Sequence, residues 1–403
     1  MSDSKVMQGF PPVPAAQVTL ANWRSPPFNR WAFQHVRELL PSADIANDPD
    51  NVWQLKLAPV ALDTVRVQSG ASTLSFDEFV DATDTDAMVV LHRGRIVHES
   101  YFNGMGEHTP HILMSVSKSM LGLLVGQLVG HGVLDVELPA LHYLPELEQT
   151  AYRAATVRDL LDMRSGILFD EDYLATSGAI IEYRKAQGWN PLAPGDAASD
   201  LRSFIQTMSQ CEGSPGSQGG RFHYQSPNTD LLGWLIERAT GRRYADLFST
   251  MFWRPLGAVR SGYITVDRLG APRCAGGMCF TARDLARVGL LVAQGGKREG
   301  VSIVPETWLQ DMANNGDTGA WARGDFAPYF PSIAMSYRSK WYTQQGEASQ
   351  VFALGVNGQN LFVDSTNQIV IAKYSSQAAA MDTERITLTM AGVDAIRKRL
   401  ISG

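Results

Sequence analysis

The sequence predicts an α+β fold: an antiparallel sheet assembled from both ends of the chain, flanked by helices, with an inserted mainly helical part. Three observations carry this. Strand-like runs bounded by turn residues lie early, at 87–102, and late, at 358–363 and 368–374. Capped helical runs and glycine-rich loops lie between them. A continuous apolar helix starting at Ser115 opens that central part. The expected division is an N-terminal arm at 1–22, a sheet-bearing part from 23–113 and 262–403, and a mainly helical part at 114–261.

The elements follow in order. Residues 1–22 read as an irregular arm, with Pro11, Pro12 and Pro14 removing backbone donors. Residues 31–40 read as a short helix stopped by Pro41. Residues 42–85 show no clear period. The run 87–102 reads as a hairpin turning at Arg93-Gly94. The helix from Ser115 ends with Gly132 as its left-handed residue. Thr156 caps a short helix that stops before Ser165-Gly166. Residues 166–228 read as loops wrapping a site. Asn228 caps a helix at 229–239 closed by Gly241, and another helix covers 244–252. Thr281 caps 282–294, stopped by Gly295-Gly296. After the two late strands, 379–400 forms the terminal helix.

Composition narrows the function classes. The chain has 403 residues, 44% hydrophobic and 19% charged, which is ample for a large core. A net charge of −6 without a basic run argues against nucleic acid as a partner. No apolar stretch approaches the ~18 residues of a membrane span, and the N-terminal MSDSKVMQGFPPVPAAQ lacks a signal-peptide core. Cys211, Cys274 and Cys279 are too few for a disulfide framework and fit a reducing compartment, so a cytoplasmic location is expected. No phosphate-binding glycine loop is visible and no cofactor is expected.

The chemistry-bearing residues begin with Ser115 and Lys118. Three apart at a helix start, they share a face. A lysine in the first turn opposes the helix dipole, and its neighbours are apolar. Both effects lower its pKa and favour a neutral amine that can take the proton of the Ser115 hydroxyl. The same spacing arises by chance about once or twice in a chain of this size. It recurs at Ser2-Asp3-Ser4-Lys5, a polar tail with no apolar helix behind it. Tyr224 and Ser226 lie in a tight loop after Pro215-Gly216, just before a helix. A tyrosine near a cation can act as a phenolate or relay a proton to a leaving group; a packed loop tyrosine is the plainer alternative. The glycines around Val356-Asn357-Gly358 let backbone approach a substrate, where a strand N–H joins that of Ser115 on an oxyanion; a simple turn is the alternative. His108 and His111 have no third partner for a metal and read as loop histidines.

Ser115-x-x-Lys118, Tyr224-x-Ser226 and Val356-Asn357-Gly358, in that order, resemble the three boxes of serine β-lactamase-type enzymes, the class C and penicillin-binding-protein fold. The phrases at 156–166 (TVRDLLDMRSG), 215–233 and 281–289 (TARDLARVG) are similar to the same superfamily. Residues 26–35 (PPFNRWAFQH) and Glu171-Asp172-Tyr173 resemble the 6-aminohexanoate-dimer hydrolases and the related carboxylesterases. The resemblance covers the chain from about residue 22. It implies a serine β-lactamase-like fold and an acyl-enzyme on Ser115, with Lys118 and Tyr224 handling the proton. It also implies substrate contacts from Tyr173 and Trp189, a small-molecule ester or amide as substrate, and a monomer or homodimer.

Three departures bear on substrate. The third box carries no Lys or His, which argues against β-lactam or D-amino-acid peptide substrates. Arg184 stands where, by spacing, the nylon-oligomer branch uses an acidic residue toward an ammonium group. Ala275 replaces an asparagine before Gly276-Gly277. Esterase activity on small linear acyl chains survives all three, and linear amides are the more demanding extension. The alternatives are a β-lactamase or D-amino-acid peptidase and, from another class, a catalytically silent ligand-binding or scaffold homologue.

Overall fold

Valines and a leucine make Thr85–His92 a strand buried on both faces. A computed structural model, describing residues 5–211, 219–331, 333–346 and 349–402, sets it inside an eight-stranded sheet. The strands are β1 (Lys56–Leu57), β2 (Thr85–His92), β3 (Arg95–Tyr101), β4 (Met335–Arg338), β5 (Trp341–Gln344), β6 (Gln350–Gly355), β7 (Gln359–Asp364) and β8 (Ile369–Ser375). Their spatial order is β4-β5-β6-β7-β8-β2-β3-β1, so the two chain ends meet where β8 pairs with β2. Neighbours are antiparallel except β1, which runs parallel to β3 at the edge. The β2–β3 hairpin turns through Arg93 and Gly94, both at positive φ (51° and 74°), as a tight two-residue connection demands.

Four helices fix the layers: α1 (Val116–Gly130), α2 (Pro227–Thr240), α3 (Ala282–Ala293) and α4 (Thr383–Ile401). The two-residue period of β2 divides its side chains between them. Ala87, Val89 and Leu91 share a core with α1, α2 and α3, whereas Met88 and Val90 share another with Val393, Ile396 and Leu400 of α4. A second sheet of four short strands runs in the order Ser42–Ile45, Gly262–Thr265, Met278–Phe280, His111–Ile112. Its last strand delivers the chain directly to residues 113–115.

Several local readings change in the fold. Residues 31–40 are not one helix: Asn29–Ala32 and the 3₁₀ turn Val36–Glu38 are separated at His35, whose backbone is not helical. Residues 166–228 are not all loop, since they contain helices Ala179–Ala186 and Leu201–Gln206, the latter capped by Asp200. Helix α2 begins at Pro227, suited to a first helical position, and Asn228 is buried inside, bonding Tyr152 and Ser165 rather than capping. The 244–252 helix continues after Tyr244–Phe248 as a wider π turn, Ser249–Trp253. Helix α4 starts at Thr383, not 379, because the Asp382 carboxylate accepts from the Glu384 and Arg385 N–H groups. Strands β4 and β5 gave no sequence signal: burial on both faces removes the alternation that marks a half-buried strand. The Pro215-Gly216 turn lies outside the described residues, as does Ser2 of the second Ser-x-x-Lys copy. No helix among the described residues is long and apolar enough to cross a membrane. Cys211, Cys274 and Cys279 are free thiols.

Helix α1 is buried on every side from Val116 to Leu128, the signature of a core helix. Gly122, Gly126 and Gly130, four apart, form the stripe that permits this. A Cβ on each would lie 2.2 Å from the Ser339 carbonyl oxygen, 2.4 Å from the Trp308 ring and 2.6 Å from Pro305. The Ser339 carbonyl is backbone and cannot rotate away. Gly122→Ala is therefore expected to lose stability by about 1–3 kcal/mol despite its better helix propensity. Urea unfolding checks this: the midpoint falls at constant slope, and an unchanged or higher midpoint contradicts the close contact.

Candidate active site

Ser115 occupies the N-cap of α1, directly after Met114, whose φ of +45° is left-handed. Such a conformation costs a side-chain-bearing residue about 1–3 kcal/mol. Neighbouring contacts impose it: the Leu113 N–H bonds Met278 O at 2.8 Å, and the Met278 N–H bonds Ser117 Oγ at 3.1 Å. One turn on, Lys118 is almost wholly buried, with Nζ 2.9 Å from Ser115 Oγ and 2.8 Å from the Ala275 carbonyl. Burial pulls its pKa down to about 7; Arg273 adds to this, and Glu171 and Asp230 oppose it. A neutral amine suits these neighbours, with one N–H given to Ala275 and the lone pair facing the serine hydroxyl.

Tyr224 enters from the loop before α2. Its flanks are pinned by Phe222 N–H to Ala320 O (3.0 Å) and His223 N–H to Met163 O (2.8 Å). The ring stacks on Phe326 at 4.6 Å and lies 4.8 Å from Lys118 Nζ. Ser115 and Tyr342 favour the ionised form of the hydroxyl, yet burial dominates and holds its pKa far above the usual phenol value. Tyr224 is therefore a neutral phenol, which favours the relay role over a phenolate. Tyr342 was invisible in the sequence, because it reaches the site from β5.

The carbonyl that holds Lys118 is itself fixed. The Ala275 N–H donates to Asp230 Oδ1 at 2.8 Å, and Asp230 Oδ2 pairs with Arg273 at 2.5 Å. Arg273 also donates to the Tyr183 hydroxyl at 2.8 Å. Position 275 thus acts through its backbone, so alanine there leaves the lysine contact intact. Asp230, a lone acid in the apolar stretch of α2, was the available signal for this pair.

Two hollows flank Ser115. One is lined by Tyr224, Tyr342, Phe326, Phe330 and Phe362. The other, a cleft of about 290 Å³, is lined by Arg184, Trp189, Ser226, Arg273, Asn357 and Glu171. Tyr173 and Val356 border both. The Ser226 hydroxyl donates to Glu171, whose other oxygen takes the Ser226 N–H at 2.5 Å; the Tyr173 hydroxyl lies 3.3 Å from Glu171. Glu171 is thus a site residue quoted earlier only as part of a motif. Trp189 forms a cleft wall, edge-on to Trp23 at 5.1 Å, with its N–H toward Thr265.

The third box is a turn at Val356–Gly358 between β6 and β7, with Asn357 left-handed (φ 60°). The Asn357 side-chain amide donates to Gln377 O at 2.7 Å, and its backbone N–H donates to Ala380 O at 3.0 Å. Both donors of Asn357 are spent on scaffold. Gly355 lets this strand end press on Ser115: a Cβ there would sit 3.0 Å from Ser115 N. Gly358, at φ 88°, borders the apolar hollow and has no space for a side chain against Gln377. His111 is in a strand, not a loop, fully buried with Nε2 3.3 Å from Asp86. Among the described residues no group of three or more His, Cys, Asp or Glu side chains is placed to hold a metal ion.

Comparison with known proteins gives a consistent picture. A β-lactamase family model matches residues 75–393. The chain is 36% identical over 369 residues to a 6-aminohexanoate-dimer hydrolase of Paenarthrobacter ureafaciens, covering 91% of this chain and 90% of that one. A solved Bacillus anthracis structure, provisionally named a 6-aminohexanoate-dimer hydrolase, superposes with a TM-score of 0.86 at 28% identity, covering 96% and 98% of the two chains. A family VIII carboxylesterase superposes with a TM-score of 0.57 at 16% identity over 79% and 95% of the chains, a likeness of fold alone.

The Asp230–Arg273 pair yields a stability prediction. Asp230→Ala strands a buried guanidinium and frees the Ala275 N–H, so a loss of about 3–5 kcal/mol is expected. Thermal or urea unfolding checks it; a variant as stable as the parent would show that the pair does not hold this region.

Proposed function

Because the chain belongs to the β-lactamase family, we propose that it is a serine hydrolase that cleaves small linear esters, and linear amides, through an acyl-enzyme on Ser115. The observation that carries the reading is the contact between Ser115 Oγ and a dry, neutral Lys118 amine at 2.9 Å. In the proposed cycle Lys118 takes the hydroxyl proton as Ser115 attacks the carbonyl carbon. The N–H groups of Ser115 and Val356 face the developing oxyanion. Tyr224, a neutral phenol beside Ser115, passes its proton to the leaving alcohol or amine and is reprotonated by the Lys118 ammonium, which returns to the free amine. Water, activated by the same amine, then releases the acid.

The nucleophile, base and tyrosine come from 114–261, and Ala275 and Val356 from the sheet-bearing part, which supports a site at the junction of the two expected parts. Tyr173 and Trp189 shape the acyl cleft, Ser226 positions Glu171, and Asn357 and Gly358 shape the oxyanion turn. The substrate is a small molecule, and the enzyme works as a monomer or homodimer. Its free thiols support a cytoplasmic setting. The cation-free third box favours ester cleavage over β-lactam or D-amino-acid peptide cleavage.

A fluorophosphonate probe tests the nucleophile. Intact-mass analysis is expected to show one adduct on the parent and none on Ser115→Ala or Lys118→Ala with the fold retained. An unlabelled parent supports a silent homologue, and nitrocefin hydrolysis without p-nitrophenyl butyrate hydrolysis supports a lactamase.

The pH dependence tests the base. Folding lowers the Lys118 pKa from 10.5 to about 7, so the free amine accumulates as pH rises through 7. The acylation rate is expected to rise with a midpoint near 7. The folded state binds fewer protons than the unfolded chain between about 7 and 10.5, so this group makes stability climb with pH across that window. A flat acylation profile from pH 6 to 9 on the order of experimental error contradicts the base assignment.

A further inference from the structure

The cleft beyond Ser115 carries a charge pattern that the hydrolytic steps do not use. Three guanidiniums, from Arg24, Arg184 and Arg273, line it. Arg273 is neutralised by Asp230, and Glu171 is engaged by Ser226. Arg24 and Arg184 form no ion pair among the described residues. Arg24 reaches Asn190 Oδ1 at 2.6 Å, and Arg184 reaches the Tyr173 carbonyl at 3.3 Å. Arg24 Nε is buried without a partner. Burial first, and then the charges of Arg184 and Arg273, lower the Arg24 pKa to about 9, while Glu171 and Asp172 support the charge of Arg184. A second observation is independent of charge. Gln187, 2% exposed, lines the same cleft with both its amide nitrogen and oxygen unpartnered. Buried amides without partners are rare, and this one offers a donor to the cleft that Arg24 and Arg184 also line.

The other hollow differs. Tyr224, the proton donor to the leaving group, borders it together with three phenylalanines and does not border the cleft. The leaving group therefore lies on the apolar side and the acyl chain in the cleft. We propose that Arg24, Arg184 and Gln187 bind a carboxylate at the far end of the acyl chain, so that the preferred substrates are half-esters or half-amides of dicarboxylic acids. The inference rests on the serine-hydrolase reading above. Water adds across the scissile bond, releasing a dicarboxylate and an uncharged alcohol, or an amine. The guanidinium fork suits a carboxylate, and it repels the ammonium end that an acidic residue at position 184 would attract.

The test uses mono-p-nitrophenyl esters of straight-chain dicarboxylic acids from succinic to suberic. Each is compared with its methyl-ended and ω-amino isosteres. The best carboxylate chain is expected to exceed its methyl-ended isostere in kcat/KM by about tenfold or more. The ω-amino ester should be slowest, and added salt should narrow the gap. Arg24→Gln should lower the carboxylate-to-methyl ratio, and Arg184→Glu should reverse the order of carboxylate and ammonium esters. Equal or faster turnover of the neutral or ammonium ester overturns the proposal while leaving the hydrolase reading intact. If no ester is turned over, the hydrolase reading fails, and calorimetric titration of Ser115→Ala with glutarate and adipate still reads the cleft. Saturable binding that Arg184→Glu abolishes supports the anion site, and absence of binding overturns it.

Discussion

A primary amine sealed from water, between one hydroxyl and one carbonyl, sets the terms for the rest of this molecule. Lys118 can stay uncharged near neutral pH only where solvent cannot reach it, and burial is the largest cause of its lowered pKa. That demand is met by α1, which is buried on all sides from Val116 to Leu128. The glycines along it let Trp308, Pro305 and the Ser339 carbonyl close against the helix. The carbonyl that accepts from Lys118 is held by Asp230, and Asp230 is held by Arg273. Lys118 is thus positioned by backbone tied to a buried ion pair.

The same dry surroundings separate the roles of two neighbours. Removing water disfavours the charged form of each group, so the lysine pKa falls and the tyrosine pKa rises. Lys118 becomes the better proton acceptor, and Tyr224, 4.8 Å away by its ring, becomes a persistent donor. One environment assigns both halves of the proton traffic around Ser115. The strand end at Gly355 completes the arrangement by bringing a second stretch of backbone against the nucleophile.

Beside Ser115 and Lys118 the cleft carries a polar lining of mixed charge. Three arginines and Glu171 stand in it, and Arg24 and Arg184 form no ion pair among the described residues. A shared fold leaves the choice of substrate to such side chains.

Short-range rules made much of this protein readable from its residues. The Ser115 to Lys118 spacing, the Thr156 and Thr281 caps, the Arg93-Gly94 turn and the late strand pair all express contacts within a few positions, and all stand in the fold. The three boxes likewise marked which loops would converge. Strands β4 and β5 escaped notice because burial on both faces erases their period. The deciding polar partners escaped for another reason. Ala275 meets Lys118 through a carbonyl that any residue carries, and Arg273 meets Asp230 across 43 positions. Arg24 and Arg184 come to one cleft from opposite sides of the nucleophile in sequence. Spacing along a chain encodes neighbours on one helix or turn; the partners of a buried charge are chosen by how distant segments pack, and only folding brings them within reach.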